Sequence, residues 1–128
     1  MSQDQLLTHL AFNVNDIEFE PWPIPHGENG VTIHGEPEFS GRFLHLSDDG
    51  RTRIGIERLG PCTLTGVHAG ETLYFLKGRV RCTPRGGESY MLGAGDFCWF
   101  PAGVEDVWEI EETYVKLFCV TIPEGLAE

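Results

Sequence analysis

The sequence predicts an all-β domain, a sandwich or a small barrel. Three observations carry this. No helical period runs through the 128 residues; apolar residues alternate with polar ones in short runs; and Gly/Pro clusters interrupt those runs roughly every eight to twelve residues. A chain of this length makes one domain and buries roughly two thirds of the surface its unfolded form exposes. Its hydrophobic content of 41% is that of a globular core.

The elements follow in chain order. "PWPIPHGENGVTIHGEPEFSG" carries Pro21, Pro23, Pro25 and Pro37 among glycines and acids. Proline cannot donate to a ladder, so residues 1–41 are expected to form an extended arm that wraps the barrel or reaches a partner, with the barrel over 42–128. "RFLHLS" and "RTRIGIERL" flank Asp48, Asp49 and Gly50 and form a hairpin. "LTGV", "ETLYFLKG", "RVRCTP", "ESYML", "DFCWF", "VEDVWEIE" and "TYVKLFCVTI" are the further strands, with turns at Gly78, at Pro84 to Gly87 and at Gly95. Asp96 is placed to satisfy amides of its turn. The C-terminal "IPEGLAE" is short and contains a Gly, and is left undecided between helix and coil.

A net charge of −11 with nine scattered Lys and Arg excludes a phosphate-binding surface, so neither nucleic acid nor an anionic membrane is an expected partner. The acidity itself speaks for solubility. "MSQDQLL" has no basic flank before an apolar core, and no apolar run is long enough to span a bilayer, so a cytoplasmic location is expected. Cys62, Cys82, Cys98 and Cys119 stand sixteen to twenty-one residues apart without a CxxC pair, and are expected as reduced, mostly buried thiols.

Two spacings stand out together. Glu71 is followed after six residues by Gly78, and Gly95 after five residues by Pro101, Ala102 and Gly103. This frame resembles the two motifs of the cupin superfamily. With Arg79, Trp108, Glu112 and Lys116 in "KGRVRC" and "WEIEETYVKL", it is similar to the branch of small cupins that includes ureidoglycine aminohydrolase and the ethanolamine-utilisation proteins. The resemblance covers roughly residues 50 to 122. It implies a jelly-roll barrel, a double-stranded β-helix, with a pocket between its two sheets and a homodimer formed through the arm or an edge strand.

Cupins host unrelated reactions on one barrel, so chemistry must be read from the site. Metal-binding members use imidazoles with a carboxylate. Here the first motif's histidine positions fall on Thr65 and Val67, or on Leu64 and Gly66; the second motif's histidine position holds Asp106 and its asparagine position Ile110. No cofactor is therefore expected. A divalent metal would need His68, Glu71 and Asp106 together, with a bulge turning His68 into the barrel. Otherwise His68, between Gly66 and Gly70, lies in a loop facing solvent or capping a turn.

Glu71 opens a strand in which Leu73 and Phe75 share its face, and the resemblance places it inward. Burial would raise its pKa and make it a candidate acid or base, unless Lys116 or Arg79 pairs with it. Lys116 alternates with Tyr114 and Phe118 and is the candidate to orient an anion. Tyr74, Trp99 and Trp108 are candidates for either core or pocket lining, and His45 in "RFLHLS" for the pocket. Ser40, Ser47 and Ser89 lack a nucleophile-elbow context, no Gly-rich loop opens a helix, and no Cys–His pair is placed as a nucleophile.

The expected function is action on a small polar metabolite of carboxylate or ureido type, with Glu71 as acid/base. The competing class is a binding or sensing module without turnover or metal. A raised Glu71 pKa beside an open cleft favours the first, and a Glu71 locked in a closed salt bridge favours the second. A third class, an interaction protein with a filled barrel, predicts no cleft.

Overall fold

The computed structural model describes residues 11–122. Nine strands carry the architecture: β1 (Glu20–Pro21), β2 (Val31–His34), β3 (Phe39–Leu46), β4 (Thr52–Leu59), β5 (Cys62–Val67), β6 (Glu71–Pro84), β7 (Tyr90–Gly93), β8 (Phe97–Phe100) and β9 (Glu105–Thr121). All pairings are antiparallel. There is no α-helix among the described residues, so none long and apolar enough to cross a membrane. Apart from Ile122, "IPEGLAE" lies outside the described residues, as does "MSQDQLL".

Two long strands organise the barrel. β9 pairs along one edge first with β5 and then with β4, and along the other edge with β6. β6 in turn carries β8 on its first half and β7 on its second. Shared by both halves, β6 and β9 make two curved sheets, β1-β3-β4-β9-β6-β8 and β2-β5-β9-β6-β7. A strand of fourteen or seventeen residues must bend to do this, and three register shifts between Phe75 and Val80 supply the bend.

Those shifts correct two expectations. Gly78 is no turn: β6 runs through it with φ +108°, and a Cβ there would stand 2.5 Å from Tyr114 Cα. Glycine is required for positive φ and for close approach of β9, and what looked like a strand end is a bulge. "VEDVWEIE" and "TYVKLFCVTI" are likewise one strand. The other turns fall as expected. Gly50, Gly86 and Gly95 have positive φ, and the Asp96 carboxylate accepts from the Gly93 amide at 2.7 Å.

The described part of the N-terminal segment is built into the sheet. β1 pairs with β3 and β2 with β5, while Trp22 stacks on Phe43 at 4.9 Å and lies across Gly41, where a Cβ would meet its ring at 2.5 Å. One end of the barrel is filled by Phe75, Trp108, Tyr114, Leu59, Val80 and Cys82, with Phe75 and Tyr114 edge to face at 5.6 Å. The other end is open. All four thiols are free; Cys82 is buried and the others partly so. Burial pushes the Cys62 and Cys82 thiols up to about 11.

Candidate functional site

The open end is a cleft of about 960 Å³ between the sheets, roofed by Trp22, Pro23 and Pro25. Its apolar wall is Phe39, Phe43, Phe118 and Val120; its polar wall is Arg53, Glu57, His68 and Glu71. Alternation on β4 sends Arg53, Gly55 and Glu57 to one face. Gly55 leaves room for the Phe118 ring, which a Cβ would meet at 2.7 Å.

Behind the polar wall lies a continuous chain of charges. Lys116 Nζ stands 3.2 Å from Glu71 Oε2 and 3.5 Å from Glu57 Oε2, and Tyr114 donates its hydroxyl to the same Glu57 oxygen. His68 Nδ1 is 3.5 Å from Glu71 Oε1, and its Nε2 donates to Asp106 Oδ2 at 2.7 Å. The Cys82 thiol also meets that Asp106 oxygen, at 3.6 Å. Asp106 and Lys116 are buried, and the ammonium sits 4.9 Å from the Trp108 ring centroid. Buried ions need such pairing, because an unpaired one costs several kcal/mol.

The pairing sets the protonation states. Burial alone would raise the Glu71 carboxyl, but the Lys116 charge and the His68 hydrogen bond outweigh it and hold it below its ordinary value. Of the two expectations for Glu71, a carboxyl raised by burial or one paired with Lys116 or Arg79, the structure shows the pairing with Lys116, which keeps Glu71 an ionised acceptor. Burial opposes charge on His68 as well, yet its hydrogen bonds to Asp106 and Glu71 lift it to about 9. Lys116 is likewise raised, its two carboxylate neighbours overcoming burial. Burial, then Glu57, pushes the Tyr114 phenol well up.

His68, Glu71 and Asp106 are thus brought together, though not by a strand bulge. His68 lies in the β5–β6 loop, which is tied to the β8–β9 loop by His68 N to Val104 O at 2.8 Å and Gly103 N to His68 O at 2.9 Å. Its ring turns inward and stacks on Phe100 at 4.3 Å. The trio does not fit a metal. Each imidazole nitrogen is turned to a different carboxylate, Nε2 to Asp106 and Nδ1 to Glu71, so the three do not converge on one point, and no three His, Cys, Asp or Glu among the described residues are grouped as ligands.

Other candidates part company with the cleft. Lys116 is enclosed by Glu57, Glu71, Trp108 and Tyr114 and does not line it, so it positions carboxylates and meets no ligand. Trp108 belongs to the filled core. Tyr74 and Trp99 lie on the outer face, because inward Leu73 and Phe100 fix the alternation of β6 and β8. The register shift between Phe43 and His45 sets His45 opposite Ile54, again on the outer face. Sequence reasoning missed Arg53, Glu57 and Phe118. The signal was present in "RIGIE", an apolar strand whose alternate face carries Arg, Gly and Glu.

Comparison with known proteins agrees with this architecture. The family described as EutQ-like cupin domain matches residues 46–118. Among solved structures, a protein of unknown function from Pseudomonas syringae pv. tomato superposes with TM-score 0.70 at 20% identity, covering 83% of this chain and 45% of its own. The Clostridium difficile EutQ protein gives 0.60 at 12%, covering 71% and 73%. The ectoine synthase of P. lautus gives 0.57 at 19%, covering 70% and 68%. At these identities the structural likeness speaks to fold alone, and among curated proteins nothing matches the sequence significantly. Motif frame, jelly-roll topology and a family match over more than half its length agree that this chain belongs to the EutQ-like cupin family.

Proposed function

We propose that the cleft binds a small metabolite carrying a carboxylate at one end and an N–H-rich group, ureido or amino, at the other. The observation that carries this is the β4 face. Arg53 and Glu57 stand four residues apart, about 13 Å along a strand, on the polar wall of one cleft. Arg53 spends its Nε on Gly50 O at 3.0 Å, and no described carboxylate lies within salt-bridge reach of its guanidinium. A planar fork of this kind suits a carboxylate. At the other end Glu57 and Glu71 offer acceptor oxygens to N–H donors, and Phe43 and Phe118 cover the apolar middle. His68, protonated and backed by Asp106, is the group placed to exchange a proton with the ligand if it is turned over.

Binding without turnover has its own support, since Glu71 is closed into pairs with Lys116 and His68. Both readings share the cleft, so binding is tested first. Titration calorimetry with ureidopropionate, propionate and propylurea should give tightest binding for the first. Arg53→Met should remove the advantage over propylurea, and Glu57→Gln the advantage over propionate. Equal affinities for all three compounds, or for wild type and both variants, would contradict the assignment. Release of ammonia or another product from the bound ligand then separates enzyme from binder.

A further inference from the structure

The charges beside the cleft do not cancel. From its enclosed end the ion chain runs Asp106, His68, Glu71, Lys116, Glu57, with 2.7, 3.5, 3.2 and 3.5 Å between successive members. The signs alternate and both ends are carboxylates, so three anions face two cations and the chain carries one negative charge in excess. A neutral imidazole would make the excess two, so its sign does not turn on the protonation of His68. Tyr114 adds no charge, because it donates to Glu57 as a neutral phenol. The Asp106 side chain is 1% exposed and that of Glu57 16%, so the excess meets the cleft at Glu57. There Lys116 and Tyr114 both contact Oε2, which leaves Oε1 for a ligand. Glu71 also lines the cleft, but its two oxygens are turned to Lys116 and His68. The other charged groups lining the cleft are Glu28, a further anion, and Arg53. Arg53 stands about 13 Å along the strand from Glu57, beyond a screening length of about 8–10 Å, and does not offset the excess there.

We propose that the group taken at Glu57 is a cation, an alkylammonium, so that the ligand of the cleft is a zwitterionic ω-amino acid and not a ureido acid with a neutral end. The inference rests on the two-ended reading of the cleft given above and chooses between the two end groups which that reading allows. A carboxylate oxygen accepts from either group. Only the ammonium extends the alternation by one cation and brings the chain to zero, and its charge-assisted hydrogen bond is roughly twice as strong as a neutral one. A urea would leave the excess charge on a wall that the bound ligand closes off from water, where an uncompensated ion is costly. Arg53 keeps the carboxylate at the far end.

Titration calorimetry of the full chain at neutral pH tests it with four compounds. 5-Aminopentanoate, 3-ureidopropionate and 5-hydroxypentanoate place their end groups the same number of bonds from the carboxylate; butylamine has the ammonium and no carboxylate. 5-Aminopentanoate should bind roughly tenfold or more tighter than the ureido and hydroxy acids, and tighter than butylamine. Equal or tighter binding of either neutral-ended acid would overturn the ammonium and leave the two-ended reading standing. Butylamine as tight as 5-aminopentanoate would overturn the zwitterion and the two-ended reading with it, since Arg53 would then hold nothing. Binding of none of the four would overturn both. Glu57→Gln keeps an acceptor oxygen and removes the charge. At unchanged circular dichroism it should bring the amino and ureido acids within about threefold of one another, and a preference that survives in it at full size would overturn the charge count. The wild-type series needs no variant.

Discussion

The two faces of one stretch of sheet invert the usual arrangement. On the inner face of β4, β6 and β9 stand Glu57, Glu71 and Lys116, paired and nearly out of water; on the outer face stand Ile54, Tyr74 and, from β8, Phe97 and Trp99, in water. The filled end of the same barrel is conventional, with Trp108, Tyr114, Phe75 and Val80 inside. The contrast teaches that the inversion is local and costly. Apolar groups of similar volume would fill the inner site at no electrostatic penalty, and charged groups would serve the outer face. Retaining paired ions beside a cleft is what a binding site requires.

The comparison can be broken from the inside first. Lys116→Met leaves Glu57 and Glu71 facing one another without their shared cation, and should cost about 3–5 kcal/mol in denaturant unfolding. Adding Glu57→Gln and Glu71→Gln should recover much of that loss, since the penalty belongs to the unpaired charges. No recovery would mean that Lys116 acts through packing.

Next in size is pH. His68 is raised from 6.5 in the unfolded chain to about 9 when folded, so its contribution is fully present below pH 6.5 and is lost as pH rises through 9. The amount at stake is about 3 kcal/mol. Glu71, held below 4.5, gives the opposite limb, present above 4.5 and lost as pH falls through its folded value. Stability should therefore be greatest between roughly pH 4.5 and 6.5 from these two groups, and His68→Gln should flatten the alkaline limb.

Gly78→Ala sharpens the structural side. Strain at positive φ costs about 1–3 kcal/mol, and the contact with Tyr114 places the loss next to the Tyr114–Glu57 hydrogen bond. The smallest effect belongs outside. Phe97→Asp should change monomer stability by no more than about 0.5 kcal/mol, because its ring is mostly in water. A large loss there would show that the outer rings serve the fold of the single chain.

Much of this was legible in the sequence because period two and turn chemistry are local. The strands follow from alternation, and the Asp-Gly hairpin and the Asp96 turn from their turn residues; alternation also sets Glu71 with Leu73 and Phe75 and Lys116 with Tyr114 and Phe118, but the resemblance turned Glu71 inward and the direction of Lys116 stayed open. What was hidden depends on pairing between distant segments. Gly78 reads as a stop until β9 is laid against it. His45 reads as inward until the shift at Phe43–His45 reverses it. The Glu71 carboxyl reads as raised by burial or paired with Lys116 or Arg79 until His68, carried in on a loop, and Lys116, 45 residues on in sequence but paired across the ladder with Phe75 of the same strand, supply their charges. Arg53 and Glu57 were visible as a charged face, yet only the cleft gives that face a meaning.

The central claim is that the inner site is a fixed ion chain, Asp106–His68–Glu71–Lys116–Glu57, with His68 as a stored proton. Nitrogen-detected NMR of the His68 imidazole across pH 5 to 11 tests it most directly. The account predicts that both ring nitrogens are protonated at pH 7, with a midpoint near 9 that falls in Asp106→Asn. A neutral ring at pH 7, one nitrogen bare, would contradict it and would reopen His68 as a ligand for metal.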